Sequence, residues 1–150
     1  RKTILKKRYK IMIYMLCGVV LFSVNASAQR VYFNFSFTNS GKQYQKMTNI
    51  CSYKNKDSTS WIITVDQIAV AGDYGIQFCP VLFAPEKNEV TKICKESSVW
   101  IHGTTYDQAV AYAPEDIHKQ SYRLAARMDD LQKGTFQASG YFCADGDEEQ

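Results

Sequence analysis

Few residues in this chain have the type and spacing to do chemistry. It holds two histidines, His102 and His118, and five cysteines. A metal centre needs clustered ligands. Glu115, three before His118, makes one weak pair, and His102 has no partner at helical spacing, so both read as surface histidines. A Ser–His–Asp relay can be assembled from Ser97 or Ser98, His102 and Asp107. No nucleophile-elbow glycines surround either serine to support it. Asp129 and Asp130 stand beside a turn and read as solvated rather than as a general acid–base pair. No glycine-rich loop could cradle a phosphate. The expectation is a protein that is not an enzyme and carries no metal or cofactor.

The cysteines read differently because of what precedes them. Arg1, Lys2, Lys6, Lys7, Arg8 and Lys10 form a basic start, and an apolar run follows from Ile11 to Val24. Asn25 then leads to Ala26-Ser27-Ala28. Basic region, short apolar region and an A-x-A site make an export signal over residues 1–28. The apolar run is short for a bilayer span. Cys17 leaves with the signal; Cys51, Cys79, Cys94 and Cys143 stay. Four cysteines in an exported chain suggest two disulfides, with three possible pairings. We favour Cys79–Cys94 and Cys51–Cys143. On the chain-entropy model the first closes a short loop worth about 3 kcal/mol, the second a long one worth about 4–5 kcal/mol. The alternative is that one or two thiols stay free and buried.

Cleavage also reverses the charge. The chain is +3 overall, but losing six basic residues leaves 12 Lys and Arg against 15 Asp and Glu, a balance of −3. The basicity is therefore a targeting feature, and nucleic acid is not an expected partner. What remains has the length of one domain.

The elements that must position these residues are strands. Val31, Phe33, Phe35 and Phe37 alternate with Asn34, Ser36 and Thr38, which predicts a strand with one buried side. Met47–Tyr53, Trp61–Val65, Val90–Cys94, Ser98–His102 and Ala109–Ala113 read as further strands. Ile76–Phe83 reads as another, with Pro80 arguing for an edge or a bulge. Pro114 to Lys133 supports either a helix or a strand; we expect a helical turn near Glu115–Lys119 and then a strand from Ser121 to Met128. A last strand, Thr135–Cys143, puts Phe136, Ala138, Gly140 and Phe142 on one face. Residues 145–150 read as an acidic disordered tail. Strands at this spacing argue for an all-β sandwich or barrel over residues 29–144. Tyr44, Tyr53, Trp61, Tyr74, Trp100, Tyr106 and Tyr112 could line a ligand surface, although such cores also use aromatics.

Two stretches carry a resemblance. One is Thr48-Asn49-Ile50-Cys51-Ser52-Tyr53, followed after a polar loop by Ser60-Trp61-Ile62-Ile63. The other is Gln132-Lys133-Gly134-Thr135-Phe136 with Ser139-Gly140-Tyr141-Phe142-Cys143. Together they resemble Afa/Dr-type fimbrial invasin tip subunits. The resemblance implies an incomplete immunoglobulin-like sandwich that accepts a donor strand from a neighbouring subunit by strand addition. It implies a periplasmic chaperone, an usher and a neighbouring fimbrial subunit as partners, and a host-cell receptor. It further implies a donor-strand groove flanked by Val31, Phe33, Phe35 and Phe37 on one side and Phe136, Ala138, Gly140 and Phe142 on the other, and a Cys51–Cys143 disulfide. The function implied is host-cell attachment from a fimbrium after passage through the inner membrane and periplasm. Only Gln29 and Arg30 would precede the first strand, which suits a subunit that receives a strand and gives none, unless Val31 to Phe37 is itself the donor. The extra pair Cys79 and Cys94 departs from the family pattern. The alternative is a periplasmic disulfide-bonded β-domain that acts as a binding module or enzyme inhibitor.

Overall fold

The computed structural model describes residues 29–39, 44, 46–55, 57–70, 74–128 and 133–146. The expected signal, residues 1–28, lies outside these, as do Asp129, Asp130 and residues 147–150. Ten strands are described: β1 (Val31–Asn39), β2 (Lys46–Met47), β3 (Ser52–Tyr53), β4 (Ser60–Ala69), β5 (Ile76–Ala84), β6 (Glu89–Ile93), β7 (Val99–Ile101), β8 (Gln108–Ala111), β9 (Ser121–Met128) and β10 (Lys133–Cys143). The fold is all-β. One sheet runs β1-β10-β4-β8; in the other, β9 and β5 are central, with β2 and β3 along one side and β6 and β7 along the other. The paired strands are antiparallel.

The core lies where the alternating faces meet. Phe33, Phe35, Phe37, Trp61, Ile63, Phe136 and Phe142 from the first sheet join Ile76, Phe78, Tyr122, Leu124 and Met128 from the second. β1 commits every second residue to this layer because successive side chains point to opposite faces, whereas β5 is buried on both faces.

Three local expectations resolve in instructive ways. The strand read as Met47–Tyr53 is split into β2 and β3, both paired with β9. At the break the Leu124 amide donates to the Thr48 hydroxyl at 3.1 Å, and the Thr48 amide donates to the Leu124 carbonyl at 2.9 Å. A side chain thus replaces one ladder partner.

Pro80 lies on a central strand, not at an edge. Its carbonyl accepts from the Cys94 amide at 3.1 Å, on the side where β6 has ended and β7 has not begun. A proline nitrogen needs no acceptor there, so the interior position is tolerated. The contested stretch forms a 3₁₀ turn at Pro114–Asp116 and then β9.

The tail expectation is corrected at its first residue. Asp145 is 1% exposed and hydrogen-bonded into the domain, so the ordered body continues past Ala144.

Candidate functional site

The groove expected between the first and last strands is closed. β1 and β10 are hydrogen-bonded neighbours, with Val31 across from Phe142, Phe33 from Gly140, Phe35 from Ala138 and Phe37 from Phe136. All eight residues face the core and are buried, but they pack against one another rather than lining an open slot. The physical reason is complementarity of size. Gly140 and Ala138 are small where Phe33 and Phe35 stand, so two large rings fit over two small residues. Phe33 stacks on Phe35 at 5.3 Å between ring centroids and reaches Phe78 of the other sheet at 5.4 Å. On the outer face Tyr32 and Tyr141 meet edge to face at 5.5 Å.

The N-terminal end of this seam is tied twice. The Ser52 hydroxyl donates to the Gln29 carbonyl at 2.8 Å. Arg30 forks onto Asp107 at 2.9 and 3.3 Å. The hydrogen bonds from Arg30 and then from the Thr64 hydroxyl hold the Asp107 carboxyl below its ordinary range. Like β8, β1 is an edge strand of its sheet among the described residues. A cleft of about 300 Å³ runs beside it, lined by Tyr32 to Phe35 and by Lys46 to Ile50. Burying a large apolar side chain is worth about 1.5–3 kcal/mol. Val31, Phe33, Phe35 and Phe37 together contribute roughly 6–12 kcal/mol on that basis, comparable to the net stability of a whole domain.

The relay written from the sequence is not assembled. The Ser97 hydroxyl donates to Asp116 at 2.6 Å and accepts from the Ala113 amide at 2.8 Å. Asp107 serves Arg30 and accepts from the Thr64 hydroxyl at 2.9 Å. The Ser98 hydroxyl donates to the Lys95 carbonyl at 2.7 Å. His118 is exposed, with Nε2 2.8 Å from the Glu115 carbonyl. Among the described residues no group of three potential metal ligands converges.

The cysteines are a second correction. Cys51, Cys79, Cys94 and Cys143 are free thiols in place of the two expected disulfides. Two of them have turned to backbone carbonyls: the Cys79 thiol donates to Pro80 at 3.3 Å and the Cys143 thiol to Asp145 at 3.4 Å. Burial pushes the Cys79 and Cys94 thiols up to about 12.

Sequence reading missed two buried polar clusters. In one, Asp116 takes hydrogen bonds from Ser97 and Lys92, while the Tyr122 hydroxyl donates to its backbone carbonyl at 2.6 Å. In the other, Lys54 sits at 0% exposure against Ser58 and Asp145. Lys54 and Ser58 were read as part of a polar loop and Asp145 as tail. No local pattern marks a lysine that will be covered by residues from the far end of the chain. Compared with known proteins, the chain matches no family model, no curated protein and no solved structure.

Proposed function

We propose that this protein is an exported, non-enzymatic subunit of a surface assembly of the Afa/Dr fimbrial type, with the seam along β10 as its strand-exchange site. The observation that carries the reading is the seating of β1: four alternating apolar side chains set over Gly140 and Ala138 in register with the last strand. That is the recognition mode of strand addition, with main-chain hydrogen bonds for affinity and alternate side chains for specificity. The resemblance sets a neighbour's strand between β1 and β10; here those two strands pair with each other directly. The subunit accepts a foreign strand only when its own β1 is displaced. A periplasmic chaperone and usher would present it in that opened form, and attachment to a host cell would use the assembled subunit.

The test is strand replacement. Phe33→Ser with Phe35→Ser loosens β1. A synthetic peptide of residues 29–39 should then bind one to one and restore the melting temperature of the wild type. A double variant that unfolds equally with and without the peptide would remove the reading.

The continuous β1–β10 pairing favours a second reading, a closed β-domain that works as a binding module or enzyme inhibitor. It expects the wild type to remain monomeric at every concentration and never to exchange β1 for labelled peptide, even after partial unfolding.

A further inference from the structure

Lys54 and Asp145 stand 91 residues apart in sequence and touch in the interior, with the Lys54 Nζ 3.1 Å from the Asp145 Oδ1. Their side chains are 0% and 1% exposed. The backbone holds both in place. The Lys54 amide donates to the Gln120 carbonyl at 2.9 Å, and the Gly146 amide donates to the Ser60 carbonyl at 2.8 Å. Just before Asp145, Ala144 is held twice: its carbonyl accepts from the Tyr112 hydroxyl at 2.7 Å, and its amide donates to the Ser52 hydroxyl at 2.9 Å. The Tyr112 ring lies 5.4 Å from the ammonium.

Ser58 closes a ring of three hydrogen bonds. Lys54 Nζ donates to its Oγ at 2.6 Å, and that hydroxyl donates to Asp145 Oδ1 at 2.7 Å. The second carboxylate oxygen, Oδ2, accepts from the Asn55 amide at 2.8 Å. A dry ion pair is costly to bury, and its neutral form avoids that cost. A desolvated lysine is a nucleophile once neutral. The Ser58 hydroxyl can take a proton from Nζ and pass its own to Oδ1, which yields an amine beside a carboxylic acid.

The geometry points to an intramolecular isopeptide bond between Lys54 and Asp145, formed by the folded protein itself. Nζ attacks Cγ of Asp145. The charge that develops on Oδ2 is held by the Asn55 amide, in the manner of an oxyanion hole. The Cγ–Oδ1 bond breaks, and Oδ1 leaves with two hydrogens as water. Of the three protons on the ammonium, one remains on the amide nitrogen and two depart in the water, so no oxidant or co-reactant is needed. Desolvation raises the Asp145 carboxyl, but hydrogen bonds from Ser58, the Asn55 amide and Lys54 outweigh it and hold it below its ordinary range. The neutral pair is therefore the minor form, and the bond forms slowly. The crosslink would tie the segment after β3 to the end of β10, and leave β1 outside the closed loop. It is independent of the strand-exchange reading.

The experiment is intact mass under denaturing conditions on the exported protein, with its N-terminus mapped, after ageing at neutral pH. The wild type should be lighter than its sequence by one water, and digestion should release one branched peptide joining residues 54 and 145. Lys54→Arg should restore the full mass. Asp145→Asn should reach the same crosslinked product by losing ammonia instead of water. Ser58→Ala should slow bond formation about a hundredfold if the hydroxyl is the proton relay. Asp145 precedes Gly146, so an internal succinimide would cost the same water. That product would survive Lys54→Arg and leave the two peptides separate, and finding it would overturn the proposal. So would a folded, aged wild type of full mass.

Discussion

Phe33 lies directly across from Gly140, on the seam between the first and last strands. Gly140 has no room for a side chain of its own: a β-carbon there would stand 1.8 Å from the Thr64 carbonyl oxygen. The close approach occurs where β10 shifts register against β4, between Ser139 and Gly140. One glycine therefore serves both neighbours. It lets β4 come close through a bulge, and it leaves space under the Phe33 ring.

Gly140→Ala should cost about 3 kcal/mol, at the upper end for overpacking, because the obstructing atoms are backbone and cannot rotate away. Chemical denaturation with unchanged slope would check this. A variant as stable as the wild type would mean that the β4 bulge is not rigid.

Phe33→Ala should destabilise by about 3–5 kcal/mol. Tyr32→Ala on the outer face of the same strand should cost about 1 kcal/mol, since Tyr32 is 55% exposed and loses mainly its edge contact with Tyr141. The contrast between adjacent residues is the check. Equal losses would place β1 in a different register.

Asp116 should set an acid limit. Burial raises its carboxyl, yet hydrogen bonds from Lys92 and Ser97 outweigh that and bring it below its ordinary 3.8. A folded value lower than the unfolded one gives stability that is full above about pH 4 and lost as pH falls through the folded value. Asp116→Asn should cost about 2 kcal/mol at neutral pH, from the charged hydrogen bond to buried Ser97. The gap should shrink below pH 3.8. Melting curves at pH 7 and at pH 3 test this; a gap that widens in acid would contradict it.

The thiols should label in order. Cys51 is half-buried, whereas Cys79, Cys94 and Cys143 are buried. Cys79 and Cys94 are also held protonated by burial, up to about 12, and the thiolate is the reactive form. Alkylation of the reduced protein at neutral pH should modify Cys51 first and the other three only with global unfolding. Peptide mapping after alkylation reads the order directly, and modification of Cys79 or Cys94 before Cys51 would refute it.

The sequence by itself determined the local half of this protein. The alternation of Val31, Phe33, Phe35 and Phe37, and that of Phe136, Ala138, Gly140 and Phe142, dictated which faces would be buried, because side chains in a strand alternate whatever the strand pairs with. The turn ahead of β9 was legible from local chemistry, to within a residue or two. Which strand lies beside which was decided only in three dimensions. An apolar face is satisfied by any partner of matching shape, so alternation alone does not say that β10 pairs with β1. The register over Gly140 and Ala138 depends on contacts more than a hundred residues apart in the sequence. Pro80 marked an edge by local rule, yet it sits inside a sheet because the partner strands break beside it. Lys54 and Asp145 read as solvated for want of any local pattern. Tertiary packing enclosed both and turned two ordinary surface residue types into a buried charged pair.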